Sequence, residues 1–524
     1  MTEAVVGGAS PPGGWGETLK TFLHPRVITM LFLGFAAGIP ILLIFSSLSL
    51  WLGEAGVERK AVTFFSWAAL GYSFKFIWAP LIDKLPLPVL TRVLGRRRAW
   101  MLVAQLLIML AIVLMGSTDP ARSQGNLTLM ALAAVLLGFS SATQDIVIDA
   151  YRIESAASRL QAMMSSTYVA GYRIGMIAAG AGALYLASLF GSEKGSYHYE
   201  AWRWTYYIMA ATMLVGVITT LIIAEPEKSR KEAHHYANSD YLRLLLVFAL
   251  AAAAFVVTFF FSNALFTHLK SALGEGVLSG FLLESLHFFT AIGMALLAGY
   301  GLVQAGLVNR DMARDTWIEP IRDFFRRYGL KTALLLLALI GLYRITDIVP
   351  GVISNVFYQD MGFSKPEIAT AVKTFGVVVS ILGGFLGGLF ASRFGVMRTL
   401  LWGAILTAIT NLVFTWLAHA GHDLTVMYLA VISDNLAAGF ASAAFIAFLS
   451  SLTSVQFTAV QYAIFSSLMT LLPKVLGGYS GTMVDAIGYG NFFVFCALIG
   501  LPVIVLVLWA GKRLGVGEGA GRAE

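Results

Sequence analysis

Ala79-Pro-Leu-Ile-Asp83-Lys84, followed after an insertion by Gly95-Arg96-Arg97-Arg98, and Gly388-Leu-Phe-Ala-Ser392-Arg393-Phe394-Gly395-Val-Met-Arg398 are two versions of one short connection, set far apart in the chain. Each joins the second to the third apolar block of its own half, so the sequence reads as a duplicated unit. An acid at a helix end followed by arginines can form an ionic latch that must break when two halves rock. Asp83, Arg96 and Arg97 are therefore expected to gate. The second copy carries Ser392 where the first has its acid, so a latch is expected in the first half only.

Working outward, the 524 residues are 58% hydrophobic and 12% charged, too few polar side chains to cover soluble domains with a hydrated surface. Lipid must be the missing solvent. The apolar residues fall in blocks long enough for α-helices to cross a roughly 30 Å hydrocarbon layer. Fourteen such helices are expected, near 27–52, 61–83, 98–116, 126–150, 160–190, 202–224, 242–268, 280–308, 331–358, 367–391, 397–419, 425–450, 456–483 and 491–511. The chain thus divides into a tail (1–26), a six-helix bundle (27–224), a linker with two extra helices and an amphipathic helix (225–330), a second six-helix bundle (331–511) and a tail (512–524). The N-terminus has no charged flank, short apolar core and cleavage site of a secretory signal, so the first span should direct insertion. The single cysteine, Cys496, excludes an intramolecular disulfide and a thiolate metal site. No cofactor or metal is expected.

With the N-terminus placed in the cytoplasm, 24 of the 36 basic residues fall on cytoplasmic connections, 7 outside and 5 within spans. That is the positive-inside pattern, and it places both termini in the cytoplasm. The formal charge of +7 is thereby explained as topology rather than as a nucleic-acid footprint. Residues 309–328 set Trp317, Ile318, Ile321, Phe324, Phe325 and Tyr328 against Arg314, Arg322, Arg326 and Arg327, as in a helix lying on the inner leaflet. A gate or a docking element is the alternative. The two extra spans carry few polar residues, Asn263, Glu284 and His287 among them, and read as peripheral.

An ionisable residue within a span costs roughly 2.5–3.5 kcal/mol on insertion, so each should face a cavity or a partner. Five cations are placed so: Lys75, Arg173, Arg344, Lys373 and Lys474. The buried acids are Asp145, Asp149, Asp347 and Asp434. Their placement follows the duplication, with a lysine on the second helix of each half, Arg173 and Lys474 on the fifth, and Gln144-Asp145 and Asp434-Asn435 on the fourth. Cations, Gln144 and Asn435 suit an anionic, amide-bearing substrate, and the four aspartates suit proton coupling. Asp149 with Arg152, and Arg344 with Asp347, are spaced to pair on one helix face, which leaves open that they only orient helices. Lys75 shares its face with Trp67, Gly71 and Trp78 and has no acid within a turn. With Tyr72 beside it, that face reads as a wall for a sugar ring bearing a carboxylate. Ser467, Thr470, Lys474 and Gly478 form a second wet stripe.

Both loop copies resemble the G-x-x-x-D-R-x-G-R-R connection of the major facilitator superfamily. Ala142-Thr-Gln-Asp-Ile-Val-Ile-Asp-Ala-Tyr151, Gly171-Tyr-Arg-Ile-Gly-Met176, Ala224-Glu-Pro-Glu227, Leu33-Gly-Phe-Ala-Ala-Gly-Ile-Pro40 and Leu342-Tyr-Arg-Ile-Thr-Asp347 together look like its AmpG muropeptide permease family, over all but the tails. The resemblance implies an all-α fold of two six-helix bundles, here with two extra central helices. It also implies import of N-acetylglucosaminyl-1,6-anhydro-N-acetylmuramic acid and its peptides across a bacterial inner membrane, driven by the proton gradient, for peptidoglycan recycling. A monomer is expected. Related acetyl-coenzyme A carriers share part of the signature, so another large organic anion stays open as cargo. A membrane enzyme of wall-precursor metabolism would need a nucleophile or base beside an orienting group, and the eight histidines lie mostly in loops.

Overall fold

A computed structural model describes residues 16, 20–57, 70–192, 196–227, 236–273 and 277–515, and these are almost wholly helical. Among the described residues, 13 helices are long and apolar enough to cross a membrane. They answer to all the expected spans but the second, of which residues 61–69 lie outside the described residues. The first half contains α1 (Pro25–Leu42), α2 (Leu70–Phe74), α3 (Ala79–Lys84), α4 (Arg96–Gly116), α5 (Gln124–Ser155), α6 (Ser158–Ile177), α7 (Tyr199–Thr212) and α8 (Leu214–Ile222). Then come α9 (Asn238–Leu273), α10 (Val277–Gln304) and α11 (Arg310–Trp317). The second half contains α12 (Glu319–Leu342), α13 (Ile345–Asp360), α14 (Val377–Phe394), α15 (Val396–Ala420), α16 (Leu424–Leu452), α17 (Thr458–Gly477), α18 (Ser480–Leu498) and α19 (Gly500–Arg513).

The chain forms two compact units. The larger comprises Met1–Asp83, Leu87–Lys231 and Phe325–Glu524 and so holds both six-helix sets; the smaller comprises Lys84–Pro86 and Glu232–Phe324. Within the smaller unit α9 packs on α10, and the His287 ring is sandwiched between Phe259 and Phe266 with Nε2 2.9 Å from the Phe259 carbonyl oxygen. Phe260 and Phe261 of α9 are exposed, as an apolar hairpin in lipid requires.

In the larger unit the duplication is visible in backbone geometry. Gly95 and Gly395, the glycines of the two loop copies, both adopt φ of 90°, a region closed to most L-residues, and each begins the next helix. Glycines also let helix backbones touch, as membrane interfaces need. A Cβ at Gly171 would sit 2.0 Å from the Leu31 carbonyl oxygen and one at Gly38 2.1 Å from that of Tyr172, so α1 and α6 interlock. The glycines of Leu33–Pro40 and Gly171–Met176 thus serve packing rather than chemistry. Gly387 and Gly439 play the same part between α14 and α16.

Helix irregularities are compensated locally. Pro350 has no N–H for the Thr346 carbonyl, and Asn411 Nδ2 of α15 donates to that oxygen at 3.0 Å instead. Leu43–Ser47 and Ala178–Gly182 are π-helical turns that free carbonyls; Tyr206 donates to the Leu43 oxygen at 3.1 Å and Ser47 to the Ala179 oxygen at 2.9 Å.

Candidate functional site

The expected chamber residues lie where helices are least regular. Lys75 begins the 3₁₀ turn, Lys75–Ile77, that separates α2 from α3; Arg344 occupies the break between α12 and α13; Lys474 follows Pro473. Lys373 belongs to the π-helical turn Ala369–Gly376, but its side chain lies outside the described residues, as does Trp67. Irregular backbone inside a membrane is tolerated where it lines a cavity or is covered by protein.

Lys75 does have an acid, supplied by another helix: its Nζ is 3.6 Å from Asp149 Oδ2 of α5. Sequence spacing along one helix is blind to that partner. Asp149 Oδ1 also receives Arg152 Nη2 at 3.3 Å, so this carboxylate stands between two cations. Arg152 reaches on to Ser165 at 3.1 Å and, across to the second half, to Ser450 at 2.6 Å, with its guanidinium 5.1 Å from the Tyr462 ring centroid. One turn back, among the described residues, buried Asp145 has no hydrogen-bond partner for Oδ1, and fully buried Gln144 has none for either amide atom. Tyr72 meets Ser141 at 2.5 Å. Trp78 is buried, donates to Thr143 at 3.1 Å and packs on Phe139, so it is a packing residue rather than part of an open wall.

From the second half, Arg344 pairs with Asp347 on its own segment. Arg173 belongs to α6 and Lys474 to α17. Lys474 Nζ is 3.5 Å from Ser73 Oγ of the first half. Asp434 has Thr410 and Asp347 as its neighbours. The Asn435 amide nitrogen donates one of its two N–H groups to the Val431 carbonyl of its own helix at 2.9 Å, which leaves its oxygen and one N–H for a ligand. Cations of each half therefore reach side chains of the other, and among the described residues Arg173 and Lys474 have no carboxylate at ion-pair distance.

The latch residues converge at the end of the bundle where both halves join their second and third helices. Arg97 Nη2 donates to Asp83 Oδ1 at 2.6 Å, and Arg97 also holds Glu154 through Nε at 3.0 Å and Nη2 at 2.6 Å. Arg96 donates to the Asp83 main-chain oxygen at 2.6 Å. Glu225 accepts from the backbone N–H groups of Arg97 and Arg98 at 2.8 and 3.0 Å, capping α4. Asp83 Oδ2 accepts the Val460 N–H, 3.1 Å away at the start of α17, which ties the halves together. In the second loop copy Ser392 merely bonds its own helix at Leu389. Glu154 and Val460 were not legible as members: a backbone amide has no sequence signature, and Glu154 reads as an ordinary helix-end acid.

Comparison with known proteins bears on the family and the fold. Residues 28–345 match the family model described as Major Facilitator Superfamily. A putative transporter, AmpG 4, of Rickettsia conorii is 28% identical over 95% of this chain and 99% of its own length. The anhydromuropeptide permease of Escherichia coli K12 is 28% identical over 95% of this chain and 82% of its own. The solved proton:xylose symporter XylE superposes with a TM-score of 0.56 at 12% identity, covering 94% of this chain and 96% of that one. The fucose:proton symporter FucP of E. coli gives 0.55 at 12%, covering 93% and 97%.

Proposed function

This chain belongs to the Major Facilitator Superfamily, and from that premise we propose that it is a proton-coupled symporter importing anhydro-muropeptides across a bacterial inner membrane. It is a multi-pass transporter; the cargo and the coupling are our reading. The observation that carries it is that cations of each bundle reach the other, Lys474 Nζ to Ser73 at 3.5 Å and Arg152 Nη1 to Ser450 at 2.6 Å. The relatives named as AmpG and anhydromuropeptide permeases support the cargo.

In this reading Arg173 and Lys474 take the carboxylates of the ligand, since among the described residues neither has an anion at ion-pair distance. Tyr72, Gln144 and the Asn435 oxygen take its sugar hydroxyls and amides. Asp149 already serves Lys75 and Arg152, so a proton arriving there would break two ion pairs. Asp145, one turn away, has an oxygen with no hydrogen-bond partner among the described residues and no ion pair there to lose, and is our choice of proton carrier. Loading both ligands lets the halves rock about the chamber, opening the latched end in alternation with the other.

Uptake of labelled anhydro-muropeptide into proteoliposomes, with and without an inward proton gradient, tests both parts. Gradient-driven accumulation is expected. Uptake indifferent to pH removes the symport, and uptake of acetyl-coenzyme A in place of the muropeptide removes the cargo.

A further inference from the structure

The amphipathic segment ahead of the second bundle ends in Arg327, and nothing in the transport reading uses it. Its side chain does not lie free on the surface. Arg327 Nη1 donates to the Leu452 carbonyl oxygen at 3.0 Å, and Nη2 donates to Gln461 Oε1 at 2.9 Å. Leu452 ends α16 and Gln461 lies in the first turn of α17, so one guanidinium spans the turn between those helices. Gln461 Oε1 also accepts the Ser454 N–H at 2.7 Å and is buried.

The duplication sharpens the point. Gln161 stands three residues into α6 as Gln461 stands three residues into α17, each after the corresponding turn. In the first half Gln161 Nε2 donates to the carbonyls of Arg152, Ile153 and Ala156 at 3.0–3.3 Å, so that turn is tied by its own residues, and among the described residues Oε1 has no partner. In the second half the glutamine oxygen is instead occupied, and an arginine from outside the turn completes the tie. The residue before Gln461 is Val460, whose N–H is the one that Asp83 accepts.

We propose that Arg327 is a positioning residue of the gate: by gripping the α16–α17 turn it holds the Val460 N–H where Asp83 can accept it. Arg327 thereby sets the equilibrium of the latched end. The inference rests on the reading of the chain as an alternating-access carrier, and its test reads conformation rather than uptake.

Ser166 supplies the reporter. It is fully buried on α6, and a Cβ on Gly388 of α14 would lie 2.5 Å from its own Cβ, so it is reachable only when this end opens. In reconstituted full-length protein carrying Cys496→Ala and Ser166→Cys, the rate of maleimide modification measures that opening. Asp83→Asn weakens the latch directly and sets the scale. Arg327→Ala is expected to raise the rate about tenfold, the shift of one lost charge-assisted tie. Adding it to Asp83→Asn should add little, because both act on one contact. Arg327→Lys, which keeps the charge and reaches one acceptor, should fall between, and it decides the matter if the alanine variant does not reconstitute. An unchanged rate in Arg327→Ala alongside a raised rate in Asp83→Asn overturns the proposal. An unchanged rate in both removes the gate itself, and the carrier reading of this end with it.

Discussion

Arg97 is 1% exposed and holds two carboxylates, Asp83 and Glu154, that are 4% and 6% exposed. Arg97→Met keeps most of the side-chain volume and removes the charge that both acids share. Breaking a buried ion pair by deleting one partner costs about 3–5 kcal/mol, because the survivor stays buried and unpaired. Here two acids survive, although Asp83 retains the Val460 N–H, so the upper part of that range is expected. Glu154→Gln removes a charge but leaves an oxygen for Arg97, and should cost about 1–3 kcal/mol. The double variant should be less damaged than the sum of the singles, since the glutamine removes an acid that Arg97→Met would orphan. Cys496 provides the assay. It is the sole cysteine and is fully buried on α18, so a thiol-reactive fluorophore labels it only in opened molecules. A loss of 3 kcal/mol raises the open population about a hundredfold. Labelling of Arg97→Met at the wild-type rate, or strict additivity in the double variant, would refute the account of the latch as a shared buried charge.

Other substitutions probe separate links. Arg173→Gln and Lys474→Gln should each raise KM for muropeptide uptake about tenfold or more with expression unchanged, measured in the same proteoliposomes, if each meets a ligand carboxylate. Asp145→Asn should keep counterflow exchange and lose gradient-driven accumulation. Asn411→Leu orphans the Thr346 carbonyl and should cost about 1–3 kcal/mol in Cys496 labelling, and adding Pro350→Ala should recover part of it by restoring an N–H. Ser364 and Glu367 form a capping box ahead of the eighth helix of the twelve-helix core, with the Ser364 N–H and hydroxyl donating to Glu367 Oε2 at 2.7 and 2.8 Å. These bonds hold the Glu367 carboxyl below its usual 4.5. Its contribution is therefore complete above that value and lost as pH falls through the lowered one. Limited proteolysis of the 361–364 turn should rise only in that acid range, and in Glu367→Gln it should not depend on pH.

What the sequence disclosed and what it hid divide along physical lines. Spans were legible because the length of an apolar run is a one-dimensional property, and 13 of them appear among the described residues. Pairs at i, i+3 were legible for the same reason: Asp149 with Arg152 and Arg344 with Asp347 are both in contact. Partners contributed by another helix were not. Lys75 looked free of acids because Asp149 belongs to α5, and Trp78 looked available because Thr143 and Phe139, its partners, do too. The family motifs mixed two kinds of residue. Asp83, Arg97 and Glu225 bond one another's charges and amides, whereas Gly38 and Gly171 are required by backbones 2 Å from where a Cβ would stand.

The departure of the second loop copy from the first has a structural consequence. A latch across an interface needs one acceptor and one donor, and a backbone N–H at the start of a helix is a donor that requires no particular side chain. Asp83 uses the one at Val460, so the second half can take part without an acid of its own, and Ser392 is left to bond its own helix. Two acidic copies would give two latches at one end, and both would have to yield in every cycle. With one, Asp83, shared between Arg97 and Val460, is the acid that has to let go, alongside the Arg152–Ser450 bond that also crosses between the halves.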